Sequence, residues 1–341
     1  MAAKIIPTVW FPALRANSGA DIFTMQLADR LSQQGIRAEI TWLPHRSEYA
    51  PWSVPIPEPP GWANIVHINT WLNKRFIPRT LPVVATEHLC IHDPAVTPYK
   101  SKIQAAYHRH WIKPNEYKVI KNANRVAGVS KYTSRQTEKC FGLGSVTTIY
   151  NGVDTELFRP SARIRPRKPF RLLYVGNWIK RKGVDLLPHI MNNLGPDYEL
   201  HFTESRYRNV QSTALTKNME SIDRINSTHQ MKTVYQEADA LLFPTRLEGL
   251  PLSAIEAQAC GLPVIATNGS SLPEAVIHNE TGILCEQDNV SAFADAARRL
   301  AVDPEAWRRM RAAARSHVEN HFTINRMVER YLHLYSEILQ N

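Results

Sequence analysis

The chain has 341 residues, 43% hydrophobic and 21% charged, which suits a globular protein of two ordinary domains and sets aside disordered and fibrous classes. No apolar run nears the roughly 18 residues that span a bilayer. The N-terminal apolar stretch is broken by Pro7 and Pro12, so it reads as a strand and loop, not a secretory signal. The net charge of +10 is uneven: residues 1–160 hold 19 Lys and Arg against 11 Asp and Glu, and residues 100–140 hold 10 against 2. Such a local basic patch suits an anionic partner, either a membrane surface or an acidic acceptor, or is simply a solvated face. Cys90, Cys140, Cys260 and Cys285 have neither metal nor disulfide spacing, so a reducing cytoplasm is expected.

In chain order, Ile5 to Trp10 is an apolar run read as the first strand. A loop through Ser18-Gly19 follows, then a helix face of Phe23, Leu27 and Leu31 that stops at Gly35. Further short apolar runs lie at 38–43, 65–68, 83–86, 126–129 and 146–149. Nearly continuous apolarity of this kind marks buried parallel strands, hence a doubly wound α/β domain. The stretch 44–60 carries six prolines and no period, which predicts a long loop. Residues 159–169, with three prolines and five bases, read as a linker. A second strand set follows at 172–175, 200–202, 240–243, 264–266 and 283–285. Met327, Tyr331, Leu334, Tyr335 and Ile338 then give one face of a closing helix. The expected division is 1–160, 161–320 and a helix over 321–341 returning to the first domain.

The densest chemistry lies in FPTRLEGLPLSAIEAQACGLP, residues 243–263. A strand ends at Pro244, the chain turns at Gly249-Leu250-Pro251, and a helix opens at Leu252 and ends near Gly261. The unpaired amides of a helix start suit a phosphate. Glu256, inside the helix, can accept hydrogen bonds from a ribose diol, and Glu248, in the loop, from the hydroxyls of a second sugar. Pro251 removes one amide donor. Upstream, the strand ending at Gly176 leads into Asn177 and the basic turn Lys180-Arg181-Lys182 before Gly183.

These segments resemble the Glu-(seven residues)-Glu and strand-Gly-Arg…Lys-Gly motifs of the retaining glycosyltransferases of family 4. The likeness extends to the Gly19 loop, to His88 after a strand, to Asn-Gly-Val-Asp at 151–154 and to Leu272-Pro273-Glu274. It implies a GT-B fold, two Rossmann-like domains facing a cleft. It also implies transfer of a hexose-type sugar from a nucleotide diphosphate sugar, the donor being a co-substrate, with no cofactor and no metal. In that reading Lys182 meets the diphosphate, with Arg181 or Lys180 replacing the Arg that Asn177 lacks. Glu248 and the amides of Gly249, Leu250 and Leu252 orient the sugar, Glu256 holds the ribose, and His88 reaches the reacting carbon.

The acceptor is expected on the first domain, near Asn69, Trp71, Tyr99, Lys102, Arg109 and Trp111. It would be a glycan or lipid-linked molecule of bacterial envelope polysaccharide or lipopolysaccharide synthesis, met at the inner membrane face. Ile103, Tyr107 and Trp111 have helical spacing, which reads first as core packing and second as a membrane face. Two other readings stand beside the enzyme. One is a non-catalytic nucleotide- or glycan-binding protein on the same scaffold. The other is a nucleic-acid binder, disfavoured because no recognised motif accompanies the charge.

Overall fold

The computed structural model describes residues 5–16, 18–203, 215–222, 225 and 227–340. Asn17, next to the Ser18-Gly19 loop, lies outside them. The chain forms two compact units, one of residues 1–151 with 324–341 and one of residues 152–323.

The first unit is built on six parallel strands: β1 (Val9–Leu14), β2 (Ala38–Leu43), β3 (Ile65–Asn69), β4 (Val83–Glu87), β5 (Arg125–Gly128) and β6 (Thr147–Thr148). Their order across the sheet is β2-β1-β3-β4-β5-β6. Side-chain alternation sorts the strands onto two faces. Val9, Phe11, Ile65 and Val84 join a cluster with Phe23, Leu27 and Leu31 of the helix Gly19–Gln33. Trp10, Val66, Val83 and Ala85 join one with Val54, Phe76 and Val119 on the opposite side.

The first strand runs later than its apolar pattern suggests, over Val9–Leu14 instead of 5–10, and it contains Pro12. The Val9 and Arg15 amides both bond to the β2 side, so by alternation the donor missing at Pro12 faces β3, whose pairing with β1 ends at Trp10. Proline therefore breaks no rung there.

The closing helix, Ile324–Gln340, packs on this same unit through Met327, Tyr331, Leu334 and Tyr335. A buried polar chain fixes its register. His67 Nδ1 shares a 2.6 Å hydrogen bond with the Tyr335 hydroxyl, and His67 Nε2 shares one of 2.7 Å with Thr86 Oγ1. Thr86 Oγ1 in turn lies 3.1 Å from the Tyr331 hydroxyl. Burial, with a contribution from His88, pulls the His67 pKa to about 3, so the imidazole is neutral and both ring nitrogens need partners.

The second unit repeats the architecture with β7 (Phe170–Tyr174), β8 (Tyr198–Thr203), β9 (Met219–Ile222), β10 (Ala240–Phe243), β11 (Val264–Thr267) and β12 (Gly282–Cys285). The order β12-β11-β10-β7-β8-β9 makes it a doubly wound sheet that reverses direction between β7 and β10.

The proline-rich segment that reads as a linker is stapled into this unit. The buried Asp239 carboxylate accepts from the Arg163 guanidinium and from the amides of Arg167 and Arg171, while the Arg311 guanidinium donates to the Ser161 and Arg163 carbonyls. Composition alone gave no sign of these long-range partners.

Tyr335→Phe should strand the His67 Nδ1 in the core and lower stability by about 1–3 kcal/mol, read from urea unfolding. No loss would show that the polar chain does not anchor the closing helix.

Candidate functional site

In a doubly wound sheet the loops at the carboxyl ends of the strands beside the reversal form a ligand crevice. Here those loops follow β7 and β10, and they carry both motifs found in the sequence. After β7 the chain passes Gly176, whose amide donates to Thr203 Oγ1 at 3.3 Å, and Asn177, whose carbonyl accepts from the Tyr174 hydroxyl at 3.0 Å. The Asn177 side chain is exposed. Lys180–Lys182 then form a single helical turn closed by Gly183 at φ +73°. A Cβ at Gly183 would lie 2.0 Å from the Pro244 carbonyl oxygen, so glycine alone lets the basic turn press against the β10 loop.

The two loops are then locked together. The Arg246 amide donates to the Arg181 carbonyl at 2.9 Å, and the Arg181 guanidinium donates back to the Leu247 carbonyl. Arg246 grips Asp185 with two bonds of 2.7 and 2.9 Å, bonds Asp288 at 2.6 Å and caps the Lys180 carbonyl. At the centre, Lys182 Nζ lies 2.5 Å from Glu248 Oε1. Thr245 Oγ1 donates to the same oxygen at 2.8 Å. The Glu248 amide donates to Ser270 Oγ at 3.0 Å, and Ser271 Oγ donates to its carbonyl at 3.0 Å.

Glu248 and Lys182 have side-chain exposures of 8% and 16%, so their charges feel little solvent. Burial alone would push the Glu248 pKa up, but Lys182, Arg181 and the Thr245 hydroxyl outweigh it and hold the carboxylate ionised below its usual range. For Lys182, burial lowers the pKa below that of an ordinary lysine although Glu248 pulls it up. Its ammonium also lies 5.8 Å from the Phe243 ring centroid. An ammonium has three donors, and Glu248 takes one.

Beyond Glu248, Gly249 and Leu250 are buried, and Pro251 is the N-cap of the helix Leu252–Ala259. The first helix amide to reach back is that of Ala254, onto the Pro251 carbonyl at 3.2 Å. Leu252 and Ser253 therefore present their amides at the open end. Glu256, one turn on, accepts from the Tyr235 hydroxyl at 2.9 Å through Oε2. Burial raises its pKa to about 7, against the pull of that hydrogen bond.

The first unit holds the other predicted residues. Gly19 is the first residue of its helix after the N-cap Ser18, whose hydroxyl donates to Asp21 at 2.9 Å. His88 sits half-buried just past β4, edge-on to Phe23 at 4.7 Å. Burial takes its pKa to about 4, partly opposed by Asp21, so it is neutral near pH 7. Asn69 accepts from the Trp71 amide at 3.0 Å, and the Trp71 ring meets His108 edge-on at 5.9 Å, which ties both into the turn after β3. Tyr99 is half-buried, ending a helical turn over Pro94–Tyr99. Lys102, Arg109 and Trp111 are exposed.

The stripe of Ile103, Tyr107 and Trp111, read first as core packing, is not core: Ile103 is 84% exposed and Trp111 36%. Spacing shows that three side chains share a face, but not whether anything covers it.

The structure thus places Gly176, Asn177, Arg181, Lys182, Glu248, Gly249, Leu250, Pro251 and Leu252 on the loops that follow β7 and β10, with Glu256 one turn into the helix beyond. Sequence reasoning missed Thr245, Arg246, Ser270, Ser271 and Tyr235. Arg246 had a readable signal, an arginine two residues before Glu248 in a loop of otherwise apolar and small residues. The partners at 235, 270 and 271 are brought in only by the fold.

Residues 156–317 match the family described as glycosyl transferases group 1, and residues 61–157 match glycosyltransferase family 4. A D-inositol 3-phosphate glycosyltransferase of Catenulispora acidiphila is 27% identical over 317 residues, covering 82% of this chain and 74% of that protein. Other curated relatives are spanned over about half to two thirds of their length. Sucrose-phosphate synthase from Thermosynechococcus elongatus superposes with a TM-score of 0.77 at 19% identity, over 98% of this chain and 99% of that one. The Anabaena protein HepE, solved with UDP and glucose, gives 0.71 at 14% identity, over 96% and 99%.

Two outcomes follow from the site's electrostatics. Glu248→Ala should cost about 3–5 kcal/mol by leaving the Lys182 ammonium buried and unpaired, whereas Lys182→Met with Glu248→Leu should recover most of that in urea unfolding. Glu256 should oppose folding as pH rises, because its raised pKa favours the protonated form. Its contribution is complete below about pH 4.5 and is lost as pH passes 7. Glu256→Gln should flatten melting temperature against pH between 5 and 8, a window worth up to about 3 kcal/mol.

Proposed function

Since the chain belongs to the glycosyltransferases of family 4, with the two-domain GT-B fold, we propose that it moves a hexose-type sugar with retention of anomeric configuration from a nucleotide diphosphate sugar. The observation that carries this reading is the Lys182–Glu248 pair beside an open helix N-terminus. With Glu248 occupying one ammonium donor, two remain for the diphosphate, joined by the amides of Leu252 and Ser253. Glu256 accepts from the ribose diol, and Glu248 Oε2 from sugar hydroxyls. The neutral His88 imidazole is suited to hydrogen-bonding a sugar, not to carrying charge.

In the reaction, the acceptor hydroxyl bonds to the anomeric carbon on the face from which the diphosphate departs. The carbon–oxygen bond to the β-phosphate breaks with its electron pair going to the phosphate, which takes the hydroxyl proton. Lys182 and the helix amides stabilise the charge that grows on the leaving group. Arg246 contributes by position: it fixes the basic turn against the loop that presents Glu248. Asn177 brings no charge to the phosphates, which leaves that role to Lys182, with Arg181 braced beside it by the Leu247 carbonyl.

A glycan or lipid-linked acceptor, in envelope polysaccharide or lipopolysaccharide assembly, remains the proposed other half of the reaction. Support comes from the basic first unit and from the sugar and inositol phosphate chemistry in the relative's name.

A thermal-shift screen over nucleoside diphosphates and their sugars tests the reading. A ligand held at 100 times its dissociation constant adds about 2.7 kcal/mol of stability. The hit should then turn over with an acceptor to a product of unchanged anomeric configuration by NMR coupling. Binding without turnover for any acceptor would favour a non-catalytic binding protein, and silence across the panel would remove the donor site.

A further inference from the structure

The loop rich in proline and the helix that starts at Lys102 are joined into one platform. The helical segments Lys102–Tyr107 and His108–Ile112 run on without a break. Glu48 ties the loop to them: its Oε1 accepts from the Tyr107 hydroxyl at 3.0 Å, and its carbonyl accepts from Trp111 Nε1 at 2.8 Å. The Trp52 ring then stands edge-on to Trp111 at 6.1 Å and 82°. These ties hold large apolar side chains out toward solvent. Ile103 is 84% exposed, Trp52 67%, and Tyr49 and Ile56 53% each.

The exposed charge around them is predominantly basic. Arg46, Lys102, Arg109, His110 and Lys113 are exposed on the same two segments. Of the acids there, Glu58 is exposed, Glu48 is half-buried and accepts from the Tyr107 hydroxyl, and Glu116 is buried against His92 at 2.9 Å. Protein interfaces are depleted in lysine and place aromatics at a dry centre. A rim of bases around protruding Trp and Ile fits instead the boundary between anionic headgroups and acyl chains, where indole rings with their N–H groups settle.

We infer that this platform is a peripheral docking surface for an anionic bilayer, with Trp52 and Ile103 entering the headgroup boundary while Lys102, Arg109 and Lys113 meet lipid phosphates. The inference stands apart from the donor chemistry, because it rests on a different face of a different unit and needs no nucleotide. Among the described residues no helix is long and apolar enough to cross a membrane, so the contact proposed is superficial.

Sedimentation of the full chain with vesicles of phosphatidylcholine, with and without phosphatidylglycerol, tests this directly. Binding should require phosphatidylglycerol and fall with salt. At about 1 kcal/mol per base, Lys102→Ala with Arg109→Ala should weaken partitioning roughly 30-fold. Trp52→Ser with Ile103→Ser should also detach the protein with its charge unchanged, and brominated acyl chains should quench wild-type tryptophan fluorescence more than that of this variant. All four side chains are exposed, so the melting temperature of both variants should match wild type. No binding, or equal binding to neutral vesicles, would overturn the inference. So would a wild-type dimer in light scattering that the Trp52 and Ile103 changes dissolve, because the face would then belong to a second copy.

Discussion

The second unit turns on a salt bridge that is poor value as a stabiliser. Desolvating an ammonium and a carboxylate costs several kcal/mol each, and well-packed apolar residues of the same volume commonly do as well or better. Lys182 and Glu248 nevertheless meet where two strand-end loops converge, and much of the surrounding structure serves to hold them there. Gly183 permits the close approach, Arg246 and Arg181 cross-brace the loops, and Thr245, Ser270 and Ser271 fix the orientation of Glu248. The result is an ammonium held at a fixed point with donors left over, beside a helix start that also offers amides. Such preorganised positive charge suits a group whose negative charge grows during reaction.

Both sheets place their chemistry-bearing loops at carboxyl strand ends, yet they use them differently. In the second unit the loops are bound to each other and surround a buried ion pair. In the first, the loop after β1 and the residue after β4 bring Gly19, Asp21 and a neutral His88 near Phe23, and the basic surface lies apart on the segment from Lys102 to Ile112. The closing helix belongs to the first unit because the His67–Thr86 polar chain needs its tyrosines, not merely because it is amphipathic.

Much of this was legible beforehand where local chemistry decides. The strand at 240–243, the turn at 249–251 and the helix ending near Gly261 follow from branched apolar runs and from where proline and glycine sit. Glu248 and Glu256 were singled out by their spacing from those elements, and Lys182 by the resemblance of its turn to a family motif. Three things were not legible. Pro12 sits inside β1 because its missing donor faces β3 beyond the point where that pairing ends, which is a property of the sheet and not of the strand. Residues 159–169 look like a linker until Asp239 and Arg311 arrive from distant positions. The exposure of Ile103 and Trp111 depends on whether another element packs over them, and helical periodicity is silent on that.

The central claim is that the Lys182 ammonium meets the diphosphate of a nucleotide donor. Calorimetric titration of a nucleoside diphosphate into the wild type and into Lys182→Met tests it most directly, because it isolates binding from acceptor chemistry. Loss of a charge-assisted contact worth about 1.5–3 kcal/mol should weaken the dissociation constant by roughly ten- to a hundredfold. Equal affinity in the two proteins, with the variant folded, would contradict the account.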